Sequence, residues 1–279
     1  MLSRIRKNGQ EKRGKTEMNI LEEIAANTHI RIDKRKEVYS PAIVRSMAEK
    51  MTKKDFSFEK ALRSNEDIAF ICECKKASPS KGLIEPNFDY LRIAKDYEAA
   101  GADAISVLTE PKYFLGDDVY LQEIAGSVAI PCLRKDFTVD EYMIYEARIF
   151  GASAILLIVS LLDEELLKRY LKISDELGLS ALVETHDEEE VKKALSAGAR
   201  VIGVNNRNLK DFSVSNENSI RLREMIPEDV IFVSESGIKT AEDVMALRKI
   251  GVDAVLVGET MMRADNKAVK LKELKGTAV

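Results

Sequence analysis

The sequence predicts an α/β protein, a (β/α)8 TIM barrel with an extra N-terminal helical segment. One reason is a repeat. Four segments share a glycine turn and an apolar run: Gly101-Ala-Asp-Ala-Ile-Ser-Val-Leu108, Gly151-Ala-Ser-Ala-Ile-Leu-Leu-Ile158, Gly198-Ala-Arg-Val-Ile-Gly-Val-Asn205 and Gly251-Val-Asp-Ala-Val-Leu-Val-Gly258. Their glycines are 50, 47 and 53 residues apart. A second reason lies between them, where Ile68–Ile71, Val128–Leu133, Leu179–Val183 and Val230–Val233 are further apolar runs. Strands therefore recur roughly every 25 residues, the length of one βα unit. Thirdly, each run is apolar throughout, as a strand buried on both faces requires. A doubly wound open sheet competes, but it rarely repeats so evenly, and no G-x-G-x-x-G follows the first strand.

Along the chain, residues 1–17 (MLSRIRKNGQEKRGKTE) are polar and basic without apolar periodicity and read as a disordered tail. The tail could be a translated upstream stretch with Met18 the true start. A mitochondrial presequence fits less well, because Glu11 and Glu17 dilute the charge. Residues 18–279 then form one barrel domain, with Asn19 to roughly Met51 as the helical segment ahead of strand one. Connecting stretches carry helix signals. Asp163 opens a segment with Leu167, Tyr170, Leu171 and Ser174 on one face, closed by Gly178. Thr240, with Asp243 three residues on, opens another holding Val244, Leu247 and Ile250, stopped by Gly251.

The 279 residues carry 43 Lys+Arg against 47 Asp+Glu, a net charge of −4, and 45% are hydrophobic, which excludes collagen-like, disordered and disulfide-scaffold classes. Charges of both signs are mixed and no aromatics interleave with basic runs, so nucleic acid is not an expected partner. The most apolar stretch, Gly151–Leu162, is interrupted by Ser153 and Ser160 and falls short of the roughly 18 residues a membrane span needs. Cys72, Cys74 and Cys132 are an odd set without a signal peptide, and their C-x-C spacing suits no zinc site. They read as thiols of a cytoplasmic protein. His29 and His186 read as structural or surface residues, not as metal ligands or catalysts. No heptads stand out, and a monomer is expected.

Active sites of such barrels lie at the C-terminal strand ends. Here the even strands end in Thr109-Glu110, Ser160, Asn205-Asn206-Arg207 and Gly258-Glu259. The odd strands end in Glu73-Cys74-Lys75, Arg134-Lys135-Asp136-Phe137, Glu184-Thr185-His186 and Ser234-Glu235-Ser236-Gly237. Any one of these charges could be a solvated loop residue or a structural ion pair. Together, Glu73 and Lys75, two apart on one strand, with Lys135 and Glu184 on other odd strands, would bring two ammonium groups and two carboxylates to one mouth. Such a cluster suits general acid–base work. Ser236-Gly237 and Gly258-Glu259 fall after strands seven and eight, where barrels often bind phosphate through backbone N–H groups. Phe137 is placed to touch a ring.

These strand ends resemble a known family. Glu73-Cys-Lys75-Lys-Ala-Ser78-Pro79-Ser80, Pro131-Cys-Leu-Arg-Lys135-Asp136-Phe137, Val183-Glu184, Asn205-Asn-Arg207-Asn-Leu209, Ser234-Glu-Ser236-Gly237 and Val257-Gly258-Glu259 occur in the order found in indole-3-glycerol phosphate synthase, from about Asn19 to Arg263. The resemblance implies closure of 1-(2-carboxyphenylamino)-1-deoxyribulose 5-phosphate to indole-3-glycerol phosphate, with loss of carbon dioxide and water, in tryptophan biosynthesis. It also implies a phosphorylated small-molecule substrate and no cofactor. By resemblance Lys135 is the general acid and Glu184 its partner at the anilino nitrogen. Lys75 pairs with a substrate anion or acts as a second acid, and Glu73 sets its position. Asn205, Arg207 and Ser236 match positions for substrate oxygens, and Gly237, Gly258 and Glu259 the phosphate site. Ser78 and Ser80 lie on a loop that resembles a mobile lid, and Phe137 packs on the anthranilate ring.

Rival readings are another phosphosugar barrel, such as phosphoribosylanthranilate isomerase or a Schiff-base aldolase, and a non-catalytic barrel subunit. An aldolase usually carries its lysine on strand six, where this chain has Asn205 and Arg207, and a degenerate subunit would lose Lys135 or Glu184.

Overall fold

In the computed structural model, eight parallel strands close into a barrel, each hydrogen-bonded to its neighbours in sequence and the first to the last. The strands are β1 (Ala69–Cys74), β2 (Ala104–Leu108), β3 (Cys132–Lys135), β4 (Ala154–Ile158), β5 (Ser180–Thr185), β6 (Val201–Asn205), β7 (Ile231–Glu235) and β8 (Ala254–Val257). The structure describes residues 19–277 apart from 54, 64–66, 209–212 and 216. The basic tail, Met18 and Leu209 of the strand-six motif lie outside the described residues.

The outer face of the strands packs on the surrounding helices through one apolar cluster that includes Phe70, Ile105, Leu157, Val183, Ile202, Phe232 and Val255. A second cluster fills the barrel with Ile71, Leu133, Leu182 and Val233, all from odd strands, and Ala104, Ala154, Leu156, Val201, Ala254 and Leu256 from even ones. Alternate strands fill alternate layers of such a barrel. Two residues further along each odd strand, on the same face, stand Glu73, Lys135, Glu184 and Glu235. The top layer of the odd strands is therefore wholly charged.

The helix signals are met. Asp163 caps α4 (Glu164–Leu177), which Gly178 ends at φ 70°, and Thr240 forms a capping box with Asp243 on the helix Ala241–Lys249. The N-terminal segment differs from the expected continuous stretch. It is two helices, α1 (Ile20–Val38) and α2 (Pro41–Lys50), because Ser40 caps the second and Pro41, lacking an N–H, opens it. A third helix, α3 (Ser57–Arg63), was not expected. Its Phe58 and Leu62 are buried with Ala69, Ala104, Val201, Ile231 and Ala254 and close the floor of the barrel.

The start of α1 lies over the mouth, where Leu21 and Ile24 join the interior cluster. Ion pairs hold the rest of α1 to the barrel wall. Arg31 donates to both oxygens of Asp136 at 2.8 Å, Arg35 pairs with Glu146 at 3.0 Å and with Asp118, and Lys36 pairs with Asp140 at 2.6 Å. Arg134, 1% exposed, donates to Asp118 Oδ1 and to the Met143 carbonyl, each at 2.8 Å. Every charge in this buried network has a partner, which is what allows it to be buried. Strand alternation thus splits Arg134-Lys135-Asp136-Phe137: Arg134 and Asp136 serve the wall, Lys135 and Phe137 the mouth.

Candidate active site

A cavity of about 410 Å³ opens at the C-terminal ends of the strands. It is lined by all thirteen site residues the sequence nominates: Glu73, Lys75, Ser78, Ser80, Lys135, Phe137, Glu184, Asn205, Arg207, Ser236, Gly237, Gly258 and Glu259. Leu21, Ile24, Phe114, Leu156 and Ile158 form an apolar side with Phe137, whose ring centroid is 6.1 Å from that of Phe114.

The polar side starts from Lys135. Its Nζ donates to Glu184 Oε2 at 3.1 Å and also to Glu235 Oε2. Glu184 Oε1 accepts from Asn205 Nδ2 at 3.1 Å, and Asn205 Oδ1 accepts from Ser236 Oγ and from the Arg207 backbone N–H, each at 3.0 Å. Across the mouth, Lys75 Nζ pairs with Glu73 Oε2, while Glu73 Oε1 accepts from Ser106 Oγ at 3.3 Å. Two even-strand glycines make room for these groups. A Cβ on Gly258 would lie 2.5 Å from both Glu73 Oε2 and Lys75 Nζ, and one on Gly203 would overlap Glu235 Oε1. Small residues on even strands are therefore a condition for large charged ones on odd strands.

After β7 the backbone turns sharply, with Ser236 at φ 68° and Gly237 at φ 88°. A left-handed serine is a strained residue, and strain of this kind collects at functional sites. Ser78 is buried in a short antiparallel pair, Ala77–Ser78 with Gly82–Leu83, that stands over the mouth. Lys81, in the turn of that pair, reaches Glu259 at 3.7 Å.

The model of the indole-3-glycerol phosphate synthase family matches residues 21–274. The chain belongs to that family. An indole-3-glycerol phosphate synthase of Ruminiclostridium cellulolyticum is 59% identical over 260 residues, covering 93% of this chain and 100% of the relative. One of Endomicrobium trichonymphae is 53% identical over 257 residues, covering 92% and 99%. The crystal structure of 3-hexulose-6-phosphate synthase from Salmonella typhimurium superposes with a TM-score of 0.62 over 75% of this chain and 97% of that one, at 14% identity, a likeness of fold.

In this synthase-family barrel the site carboxylates Glu73, Glu184 and Glu235 are 3%, 4% and 2% exposed, so neighbours rather than water set their charge. Burial, opposed by Lys135 and reinforced by Glu184 and Glu73, pushes Glu235 up to about 7. Burial acts the same way on Glu184, but Lys135, His186 and Asn205 outweigh it and hold that carboxylate below its ordinary value. For Lys135, burial disfavours the ammonium, yet Glu235, Glu184 and Glu73 keep it charged, above the usual lysine range. Two carboxyls on one lysine, driven in opposite directions, are the kind of pair that divides acid and base roles.

Glu235 is the site residue that sequence reasoning missed. It falls two positions past the apolar run that ends at Val233 and reads as part of a serine turn. The usable signal was parity: Ile231, Val233 and Glu235 share a face, as Ile71 and Glu73 do. Gly203 gave no signal of its own. Asp136, quoted within the strand-three motif, borders the cavity, but Arg31 and Thr109 take up its carboxylate.

Proposed function

We propose that this family member closes the indole ring of 1-(2-carboxyphenylamino)-1-deoxyribulose 5-phosphate at the charged layer, with Lys135 as the proton donor. The observation that carries the reading is the place of Lys135 Nζ, bonded to Glu184 and Glu235 beside the Phe137–Phe114 wall. An anthranilate ring would sit on that wall with its reacting carbon toward Lys135.

The ring carbon attacks the ketone carbon, and the carbonyl oxygen takes on negative charge that Lys135 neutralises with a proton. A raised lysine pKa does not prevent this, because an alkoxide is the stronger base. Glu184, held ionised, faces the positive charge that develops on the anilino nitrogen. Loss of carbon dioxide returns electrons to the ring, the hydroxyl departs as water with a proton from Lys75 or from Lys135 once it is recharged, and a proton leaves the methylene carbon beside the nitrogen toward Glu184, which completes the aromatic ring. Glu73 holds Lys75 at the mouth. Asn205, Arg207 and Ser236 take substrate oxygens, Ser78 and Ser80 close from the first loop, and backbone N–H groups near Gly237, Gly258 and Glu259 receive the phosphate.

We read the protein as a cytoplasmic monomer. Three buried cysteines, Cys72, Cys74 and Cys132, present as thiols, support a reducing compartment, and among the described residues no helix is long and apolar enough to cross a membrane.

The test is to mix protein and substrate and follow indole fluorescence, with Lys135→Ala and Glu184→Ala in parallel. Signal in the wild type and its collapse in both variants is the expected result. A folded wild type without signal overturns the reading.

A further inference from the structure

We infer that His186 is a positioning residue for Glu184, an imidazolium braced by Glu190 that keeps the neighbouring carboxylate ionised. This inference rests on the reading of Glu184 as a group that meets substrate. His186 directly follows β5, two residues past Glu184, and its Nε2 stands 3.4 Å from Glu184 Oε1. That nitrogen is buried and makes no hydrogen bond among the described residues, so a small ring rotation completes a charge-assisted bond to the carboxylate. On the other side, Glu190 Oε2, on α5 (Glu188–Ser196), accepts from the His186 backbone N–H at 2.7 Å and lies 3.1 Å from Nδ1. Asn218 Nδ2 donates to the His186 carbonyl at 3.0 Å, fixing the residue from a third element.

The surroundings favour a charged ring. The strongest charges on it are Glu190 from α5, Glu184 from β5 and Glu235 from β7, all acidic, while Asn205 and Asn218 are neutral amides. Of the lysines on these elements and at the mouth, Lys135 is spent on Glu184 Oε2 and Glu235, and Lys193 of α5 is turned away to the Val159 and Leu162 carbonyls. Burial disfavours the imidazolium, but Glu190, Glu184 and Glu235 outweigh it and raise its pKa. The imidazolium acts on Glu184 Oε1, whereas Lys135 holds Oε2, so the two cations do not compete for one oxygen.

The chain has two histidines, which His29→Gln tells apart. Imidazole proton resonances are followed against pH by NMR in wild type, Glu190→Gln and Glu184→Gln. The His186 midpoint is expected above the ordinary imidazole value of 6.5, and to fall by about one pH unit in each variant. A midpoint at or below that value, or one that neither variant moves, overturns the inference. The kinetic arm compares kcat and KM across pH for His186→Gln, Glu190→Gln and wild type. Loss of the cation raises the pKa of Glu184, so the acid limb of kcat moves to higher pH, KM stays within about twofold, and the rates converge at high pH where wild-type His186 is itself neutral. An equal loss at every pH, the mark of a merely structural role, overturns it as well. Should His186→Gln not fold, Glu190→Gln carries both arms with the ring in place. The NMR arm needs no turnover, so an inactive wild type would remove the synthase reading without deciding the imidazole pairing.

Discussion

Gly203 on β6 faces the Glu235 carboxylate of β7 so closely that a methyl group in place of its hydrogen would overlap Oε1 and also come within 3.1 Å of Leu182 Cδ1. A Cβ at Gly203 is therefore admitted only if the Glu235 carboxylate, which is 2% exposed, shifts. Gly203→Ala is expected to cost about 1–3 kcal/mol of stability and to move Glu235 off Lys135. Displacement of the site by about an ångström lowers kcat of the order of 10²-fold. Urea unfolding with steady-state kinetics checks both, and a variant with unchanged kcat would remove Glu235 from the working site.

In the mechanism we propose, Lys135 and Glu184 act on one proton and one developing charge, so their losses should not add. Lys135→Ala and Glu184→Ala are each expected to lower kcat about 10²–10⁴-fold. The double variant should be little worse than the poorer single one, as for residues that work as a unit. Full additivity in the cycle would show two independent contributions instead.

The elevated pKa of Glu235 makes a signed prediction about stability. Its folded value of about 7 stands above the ordinary 4.5, so between these values the folded state holds a proton that the unfolded chain has lost. Raising the pH through that window therefore costs stability, and Glu235→Gln is exempt. Unfolding free energies at about pH 5 and about pH 8 should show the variant gaining on wild type as pH rises. A gain in the opposite direction would mean that Lys135 dominates Glu235 after all.

Arg31 holds a carboxylate whose side chain is 0% exposed, and the pair joins α1 to the strand that carries Lys135. Arg31→Met leaves Asp136 buried with Thr109 and the Phe137 N–H but without its bidentate cation, at a cost of about 3 kcal/mol. Because Leu21 and Ile24 of α1 line the cavity, KM should rise more than kcat falls. Arg31→Lys should restore little, since one ammonium cannot span both oxygens. A KM unaffected by either substitution would separate the helix from substrate binding.

The barrel was legible because glycine turns and two-sided apolar strands repeat at an almost constant interval, a global signal that local ambiguity does not blur. The thirteen nominated residues meet in one cavity because strand ends are set by that same repeat. What escaped depended on pairs of positions in different strands. Glu235 and Gly203 make sense only across the β6–β7 ladder, and the outward turn of Arg134 and Asp136 is legible only once the exact end of β3 is known. The seven residues of α3 are too few to show an amphipathic period, and they are helical because Phe58 and Leu62 find the open end of the barrel. His186 read as bland because its two partners are a residue of its own strand and one a helical turn further on.

The plug that α3 inserts under the strands turns the barrel from a tube into a cup. Phe58 and Leu62 seal the lower rim against the innermost side chains, so traffic runs through the upper one. For a reaction that takes in one molecule and releases three, substrate and every product then share one rim. Opening of the rim around Ser78, Leu21 and Ile24 would then govern turnover as much as the bond-making step below it.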